Sequence, residues 1–387
     1  MELKVGYKQT EIGIIPEDWE VKSIEEITTR IGDGLHGTPL YSSNGEYFFI
    51  NGNNIYEGKI VVTDDTKLVS HAEFIKHRKP INETTILMSI NGTIGNLGFF
   101  NNEALVLGKS AAYLNINQNI SKNLIYYSLQ THSTKQQFLD GLTGSTIGNL
   151  GLTTIRQTQI PLPPTRIEQT AIASALSDMD ALLDGLDRLI TKKRNLKQAA
   201  MQQLLTGKTR LAGFEGEWEV KRLGDLLTIC HGKSQKDVET IDGTYPILAT
   251  GGQIGTASRA LYDQPSVLIG RKGTINQPQY MDTPFWTVDT LFYSILKNNN
   301  NAKFLYYRFC LIDWMQFNEA SGVPSLNART IESITIKTPL PEEQEAIAAV
   351  LADMDAEIAA LEQRRTKTRD IKQGMMQELL TGRTRLV

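Results

Sequence analysis

Apolar residues fall at alternating steps of four and three along two stretches of this chain, residues 161–211 and 339–386, and the two stretches nearly repeat each other. Ile172, Leu176, Met179, Leu183, Leu186 and Ile190 recur 175 positions later as Ile347, Leu351, Met354, Ile358, Leu361 and Arg365. This seven-residue rhythm is the one with which a helix buries a single seam against a partner helix. A second set, Leu196, Ala200 and Leu204, recurs as Ile371, Met375 and Leu379 after a phase shift that locally adjusts the supercoil. One apolar stripe is most simply core; two matched stripes in one chain point to each other as partners. Pro163 and Pro164 suit the approach to a first helical turn, where a missing N–H costs little. Gly207 and Gly382, each after Leu-Leu-Thr, are helix stops. These limits predict helices of about 41 residues, roughly 60 Å long.

Elsewhere the pattern is different. Short apolar runs (YFFI, TILMSI and GFF, then YPIL, SVLIG and LFYSIL) alternate with Gly, Asn, Ser and Thr. Such β-branched and aromatic runs between turn residues read as strands of compact mixed or mostly β bodies. Each half opens alike, with Pro16-Glu-Asp-Trp-Glu-Val-Lys22 or Glu215-Gly-Glu-Trp-Glu-Val-Lys221. Each later has a helical segment with an aromatic pair, Tyr126-Tyr127 or Tyr306-Tyr307, then a small-residue loop, then IPLP or TPLP before the long helix. The chain is therefore read as an α+β duplication: a globular body over 1–160, a long helix over 161–210, a second body over 211–338 and a second long helix over 339–387. Connectivity gives direction. The first helix delivers the chain to the second body, so a second helix pairing with it has to run back. The expectation is an antiparallel pair with an approximate two-fold axis, a body at each end, and the chain's two ends close together.

Composition narrows the class. The 387 residues carry a formal charge of −3 and are 40% hydrophobic, which supports two or more ordinary domains. No apolar run approaches the roughly 20 residues that cross a bilayer, and the polar first residues contain no apolar signal core. Cys230 and Cys310 suit a reducing, cytoplasmic setting better than a disulfide framework.

The order of parts resembles the specificity subunit of type I DNA restriction-modification enzymes. The resemblance rests on Ile160-Pro-Leu-Pro163 with Glu168-Gln169 and Thr338-Pro-Leu-Pro341 with Glu343-Gln344. It rests also on Asp178-Met-Asp180 and Asp353-Met-Asp355, on the helix ends QQLLTGKTRL and QELLTGRTRL, and on the opening Ile15-Pro16-Glu17-Asp18-Trp19. It covers essentially the whole chain. It implies a chain without chemistry of its own, whose two bodies are target-recognition domains, each reading half of a split DNA site. The helices would act as ruler and as platform for two methyltransferase subunits that use S-adenosylmethionine on adenine. Restriction subunits with ATP-driven translocase and Mg-dependent nuclease activity would complete the assembly, so no cofactor is expected on this chain.

Reading two half-sites on one face of B-DNA needs readers about 34–36 Å apart, or a multiple. Phosphates call for cations, and base edges for amides, guanidinium groups or hydroxyls. In the first body the candidates are Arg30, His36, Asn91, Thr93, Lys109, Ser145 and Asn149. In the second they are Lys233, Lys236, Arg271, Lys272, Thr274, Asn276, Ser325, Asn327 and Arg329, with His231 on the same loop as the two lysines. Gly-Thr-Ile stands at corresponding places, 92–94 and 273–275, where glycine lets backbone approach a groove closely. The basic runs late in each helix, Lys192-Lys193-Arg194 with Lys197, and Arg364-Arg365, Lys367, Arg369 with Lys372, read as solvated faces. Leu182, Leu189 and Ile190 widen the first stripe and would leave a flank for a partner.

Several motifs fail on spacing. Gly-Lys-Ser/Thr at 108, 207 and 232 needs a glycine five residues earlier to make a phosphate loop, and those positions hold Glu103, Gln202 and Leu227. His36, His71, His77, His132 and His231 never stand at metal-ligand spacing with cysteines or acids, and His71 and His77 read as exposed. Pro163-Pro164 lacks the flanking Asn or Asp and aromatic residue that adenine methyltransferases use. The competing expectation is a non-catalytic coiled-coil scaffold whose bodies bind protein.

Overall fold

The computed structural model describes residues 5–143 and 148–386. Contacts divide the chain into two compact units, residues 1–185 with 365–387, and residues 186–364. Each unit therefore holds one globular body, half of the first long helix and half of the second. The helices span Arg166–Leu204 and Pro341–Leu379, 39 residues apiece. Their first residues are equivalent in the repeat, although the lead-in to the second is shorter. Pro341 takes the first helical position, where its fixed φ and absent N–H are tolerated. Gly207 and Gly382 adopt φ of 72° and 69° just past the helix ends. In that left-handed conformation Thr209 N–H reaches back to Gln203 O and Thr384 N–H to Glu378 O, closing orphan carbonyls.

In the first unit a four-stranded antiparallel sheet runs Leu97–Phe99, Thr85–Ser89, Ala111–Ile116, Thr28–Asp33. A three-stranded sheet lies beside it in the order Leu105–Leu107, Tyr47–Ile50, Leu68–Val69, its first pair parallel. The second unit repeats the four-stranded sheet as Gln279–Met281, Ser266–Gly270, Leu291–Leu296, Leu227–His231. Its smaller sheet keeps the parallel pair, Tyr245–Ala249 with Trp286–Thr287, but takes Gly252–Ala257 as its third strand. Each body is zipped shut where the chain enters and leaves it, Glu20–Ser23 against Gln159–Leu162 and Glu219–Arg222 against Thr335–Thr338.

The helix seams merge with these cores. Ile172, Ala173 and Leu176 of the first helix, Leu379 at the end of the second and Leu380 just after it join Trp19, Ile24, Leu124 and Ile155 in one buried cluster. In the second unit Met201, Leu204 and Leu205 join Ile347, Ala348 and Leu351 around Phe304 and Trp314. The start of one helix thus packs beside the end of the other in each unit, which is the antiparallel arrangement. Of the seam positions, Ile172, Leu176, Leu186, Ile347, Leu351 and Ile358 are buried, and Met179, Leu183, Met354 and Leu361 half-buried.

Three expectations about the helices need correction. Ile190 is 2% exposed and belongs to the seam, leaving only Leu182 and Leu189 on the flank. Leu196 and Ile371 face water, at 48% and 47% exposure. The seam there belongs to their neighbours Lys197 and Lys372, whose stems pack while their ammoniums pair with Asp355 and Asp180. The basic runs are correspondingly not all solvated, since Lys193 meets Glu357 at 2.6 Å and Arg194 meets Glu362 at 2.5 Å. The helical segment of each body is also split: Thr131 caps a second helix, His132–Asp140, and Asp313 caps the 3₁₀ turn Trp314–Phe317. His77 is half-buried beside Glu73, not exposed, whereas His71 is exposed and bonded to Tyr47.

Candidate nucleic-acid interface

Loops distant in sequence converge in each body. In the first, Leu35 bridges Gly108, Ile90 N–H donates to Ser110 O at 2.9 Å, and Leu150 N–H donates to Ile90 O at 2.8 Å. Asn91 bridges Asn149. The loops carrying His36, Asn91, Thr93, Lys109 and Asn149 are therefore knitted together by backbone bonds. Gly34 permits a close backbone approach: a Cβ there would stand 2.3 Å from Gly108 O. His36 is spoken for in part, its Nε2 lying 2.6 Å from Asp33 Oδ2. Arg30, Thr93 and Lys109 are exposed, while Asn91 and Asn149 are half-buried. Ser145 lies outside the described residues.

The second body repeats the construction with other side chains. A Cβ on Gly232 would stand 2.0 Å from Val288 O, and Lys233 N–H donates to Thr287 O at 2.8 Å. Lys272 bridges Ser325, Leu326 N–H donates to Arg271 O at 2.9 Å, and Gly273 N–H donates to Pro324 O at 2.8 Å. These bonds close a cleft of about 630 Å³ to which His231, Arg271, Lys272, Ser325 and Asn327 contribute. Arg271 is held in place by a 3.1 Å bond from its Nη1 to Asp289 O. Lys233, Lys236, Thr274, Asn276 and Arg329 do not line the cleft; Lys233, Lys236 and Asn276 are exposed on nearby loops, Arg329 is exposed in the helix Ala328–Ser333, and Thr274 is half-buried. Asn327 has a structural duty, since its Oδ1 accepts from Arg329 N–H to cap the short helix Ala328–Ser333. Glu319 lines the same cleft, although an acid is not among the residue types that phosphates or adenines call for. The signal was its place two residues before the small-residue loop 321–329.

The helices are locked to the bodies by two matched sets of polar contacts. Tyr127 Oη donates to Asp180 at 2.8 Å and Lys372 pairs with the same carboxylate, its ammonium 5.3 Å from the Tyr127 ring. Tyr307 donates to Asp355 at 2.7 Å, and Lys197 pairs with that acid over the Tyr307 ring. Burial and then the neighbouring carboxylate push both phenols far up, and burial pushes Tyr126 up to about 12. Arg385 forks onto Glu168, which is 1% exposed, and onto Asp18 with two 2.9 Å bonds. Its counterpart Arg210 forks onto Glu343, 3% exposed, which Trp218 also meets. Gln169 and Gln344, nearly fully buried, accept from Ser121 N–H and Asn301 N–H and donate to the carbonyls of Pro163 and Pro339. Tyr7 Oη donates to Gly382 O at 3.0 Å, so the first strand of the first unit meets the turn after the second helix. Among the described residues no group of three or more His, Cys, Asp and Glu side chains is placed to hold a metal, and no helix is long and apolar enough to cross a membrane.

A duplicated mixed α/β body, each copy presenting a loop-built polar surface and each locked to the ends of two long antiparallel helices, defines a class of duplicated two-body scaffold proteins. Residues 16–195 and again 215–369 match the type I restriction modification DNA specificity domain. The chain belongs to that family and carries its domain twice. The type I restriction enzyme MjaIX specificity subunit of Methanocaldococcus jannaschii is 27% identical over 59% of this chain and 56% of its own. The MjaVIII specificity subunit of the same organism is 24% identical over 96% and 94%. The fold is shared with the type I restriction-modification S subunit of M. genitalium, with a TM-score of 0.65, 16% identity and 98% coverage of both chains. The chain is accordingly a non-catalytic DNA-specificity subunit, and the protein-binding scaffold expectation is set aside.

Proposed function

We propose that each body reads one half of a bipartite, non-palindromic DNA site, and that the helices set the gap between the halves. The observation that carries this is the twofold building of one loop constellation with dissimilar side chains. Conserved backbone bonding with Asn91 and Asn149 in one body, and Lys272 and Ser325 in the other, suits two readers of different sequence on one scaffold. Arg30, His36, Thr93, Lys109 and Ser145 in the first body, and Lys233, Lys236, Arg271, Thr274, Asn276, Asn327 and Arg329 in the second, supply phosphate and base contacts in this reading. Two adenine methyltransferase subunits dock on the helices, where Leu182 and Leu189 stay about 40% and 39% exposed. S-adenosylmethionine binds those subunits, and ATP and Mg the restriction subunits that join them in the cytoplasm. Methylome sequencing of a host carrying this chain with its cognate methyltransferase, against a host lacking it, tests the proposal. A split modified motif is expected, and modification without a split motif would refute it.

A further inference from the structure

The row of residues that ties the reader loops together has opposite chemistry in the two bodies. In the second, Glu319 N–H donates to Ser325 O at 3.0 Å, and Ser325 is paired antiparallel with Lys272. Glu319, Ser325 and Lys272 thus stand on neighbouring backbone segments, and all three line the cleft. The corresponding row in the first body is Thr143, Asn149 and Asn91: Thr143 pairs with Asn149, which bridges Asn91. One row is acid, hydroxyl and ammonium; the other is hydroxyl, amide and amide.

A carboxylate on a surface that approaches DNA is repelled by phosphates. Arg271 and Lys272 in the same cleft offset part of that repulsion, and a hydrogen-bond donor on the ligand would add to that offset. On the major-groove edge the donors are the exocyclic amines of cytosine and adenine. Adenine sets the acceptor N7 beside its N6 amine, so a carboxylate meets a lone pair as well as a proton. Cytosine presents its N4 amine with no acceptor of its own beside it, the neighbouring O6 belonging to the paired guanine. Glu319 Oε1 already accepts from Thr330 Oγ1, which orients the group and leaves Oε2 without a partner among the described residues. That oxygen is placed to accept an amine proton. We propose that Glu319 is a specificity-determining residue of the second body, accepting the N4 amine of a cytosine in that body's half-site. The proposal rests on the reading of this body as a DNA reader.

The test uses the full chain with its cognate methyltransferase and a duplex carrying the split site found by methylome sequencing. Each cytosine of both halves is replaced in turn by pyrimidin-2-one, which lacks the amine, and each adenine by purine. One cytosine replacement, in one half only, should weaken binding by the unaltered complex about tenfold. The same replacement should leave binding by the Glu319→Ala complex unchanged. Three outcomes overturn the assignment while the DNA-reading function stands: no cytosine amine matters, the Glu319→Ala complex is equally sensitive, or the dependent amine belongs to adenine. The unaltered complex decides the first and third even if the variant does not fold. Absence of any split site in the methylome defeats the functional reading and the assignment with it.

Discussion

Replacing Arg385 by alanine removes the cation from a carboxylate that is almost wholly out of water. Glu168 is 1% exposed, and both its oxygens accept from the Arg385 guanidinium, which also lies 5.7 Å from the centre of the Trp19 ring. Stripping one partner from a buried ion pair strands the other, at a typical cost of about 3–5 kcal/mol. Arg385 itself is partly exposed, and water can reach Glu168 through the space it vacates, so the low end applies, about 3 kcal/mol. For a unit of this size that corresponds to a melting point lower by about 6–12 °C. Scanning calorimetry of Arg385→Ala reads the shift. Glu168→Gln in the same chain neutralises the stranded charge, and the double variant should recover a third or more of the loss. Arg385→Lys keeps the charge without the fork and should fall between. A melting point for Arg385→Ala within about 1 °C of the parent would refute the reasoning. So would a double variant no more stable than the single one, because the cost would then be lost packing and not a stranded charge.

Asp18 gives the same contact a pH signature. Hydrogen bonds from Arg385 hold its carboxyl below its ordinary 3.8, so its contribution is complete above that value and is lost as pH falls through the depressed folded value. Asp18→Asn should flatten the acid limb of a stability profile below about pH 4 and leave neutral stability with little pH slope. Gly232→Ala would press a methyl against Val288 O at 2.0 Å, where only backbone can yield. It should destabilise by about 2 kcal/mol or more and disturb the cleft, read by chemical denaturation. Gly151→Ala, which meets nothing within 4 Å, is the control. Lys272→Ala should weaken DNA binding by the assembled complex and shallow its log–log salt slope by about 0.9, as expected for one lost phosphate contact. An unchanged slope would place Lys272 on base edges or off the DNA.

The long helices were legible because their information is local. Period, proline and glycine stops lie within each stretch, and the helices begin and end at equivalent residues. The twin Asp-Met-Asp motifs and the paired tyrosines were visible too, but not that Asp180 and Asp355, rather than Asp178 and Asp353, receive Tyr127 and Tyr307. The seam was misread at Leu196 and Ile371 because hydropathy ranks leucine above lysine. What decides the position is an acid on the facing helix, 158 residues from Lys197 and 192 from Lys372. Glu319 was passed over for a related reason. Acids repel phosphates, and only the backbone pairing of residues near 272 and 325 brings that acid beside Lys272 and Arg271.

The sequence by itself determined the duplication, the two helices, their opposed directions and six of the strand-forming runs, because periodicity, turn chemistry and connectivity act between near neighbours in the chain. Tertiary structure alone decided which charges are buried, which loops meet and which side chain faces the cleft. Those outcomes turn on desolvation and on partners more than a hundred residues away, such as Arg385 with Glu168, and no local pattern encodes whether such a partner arrives.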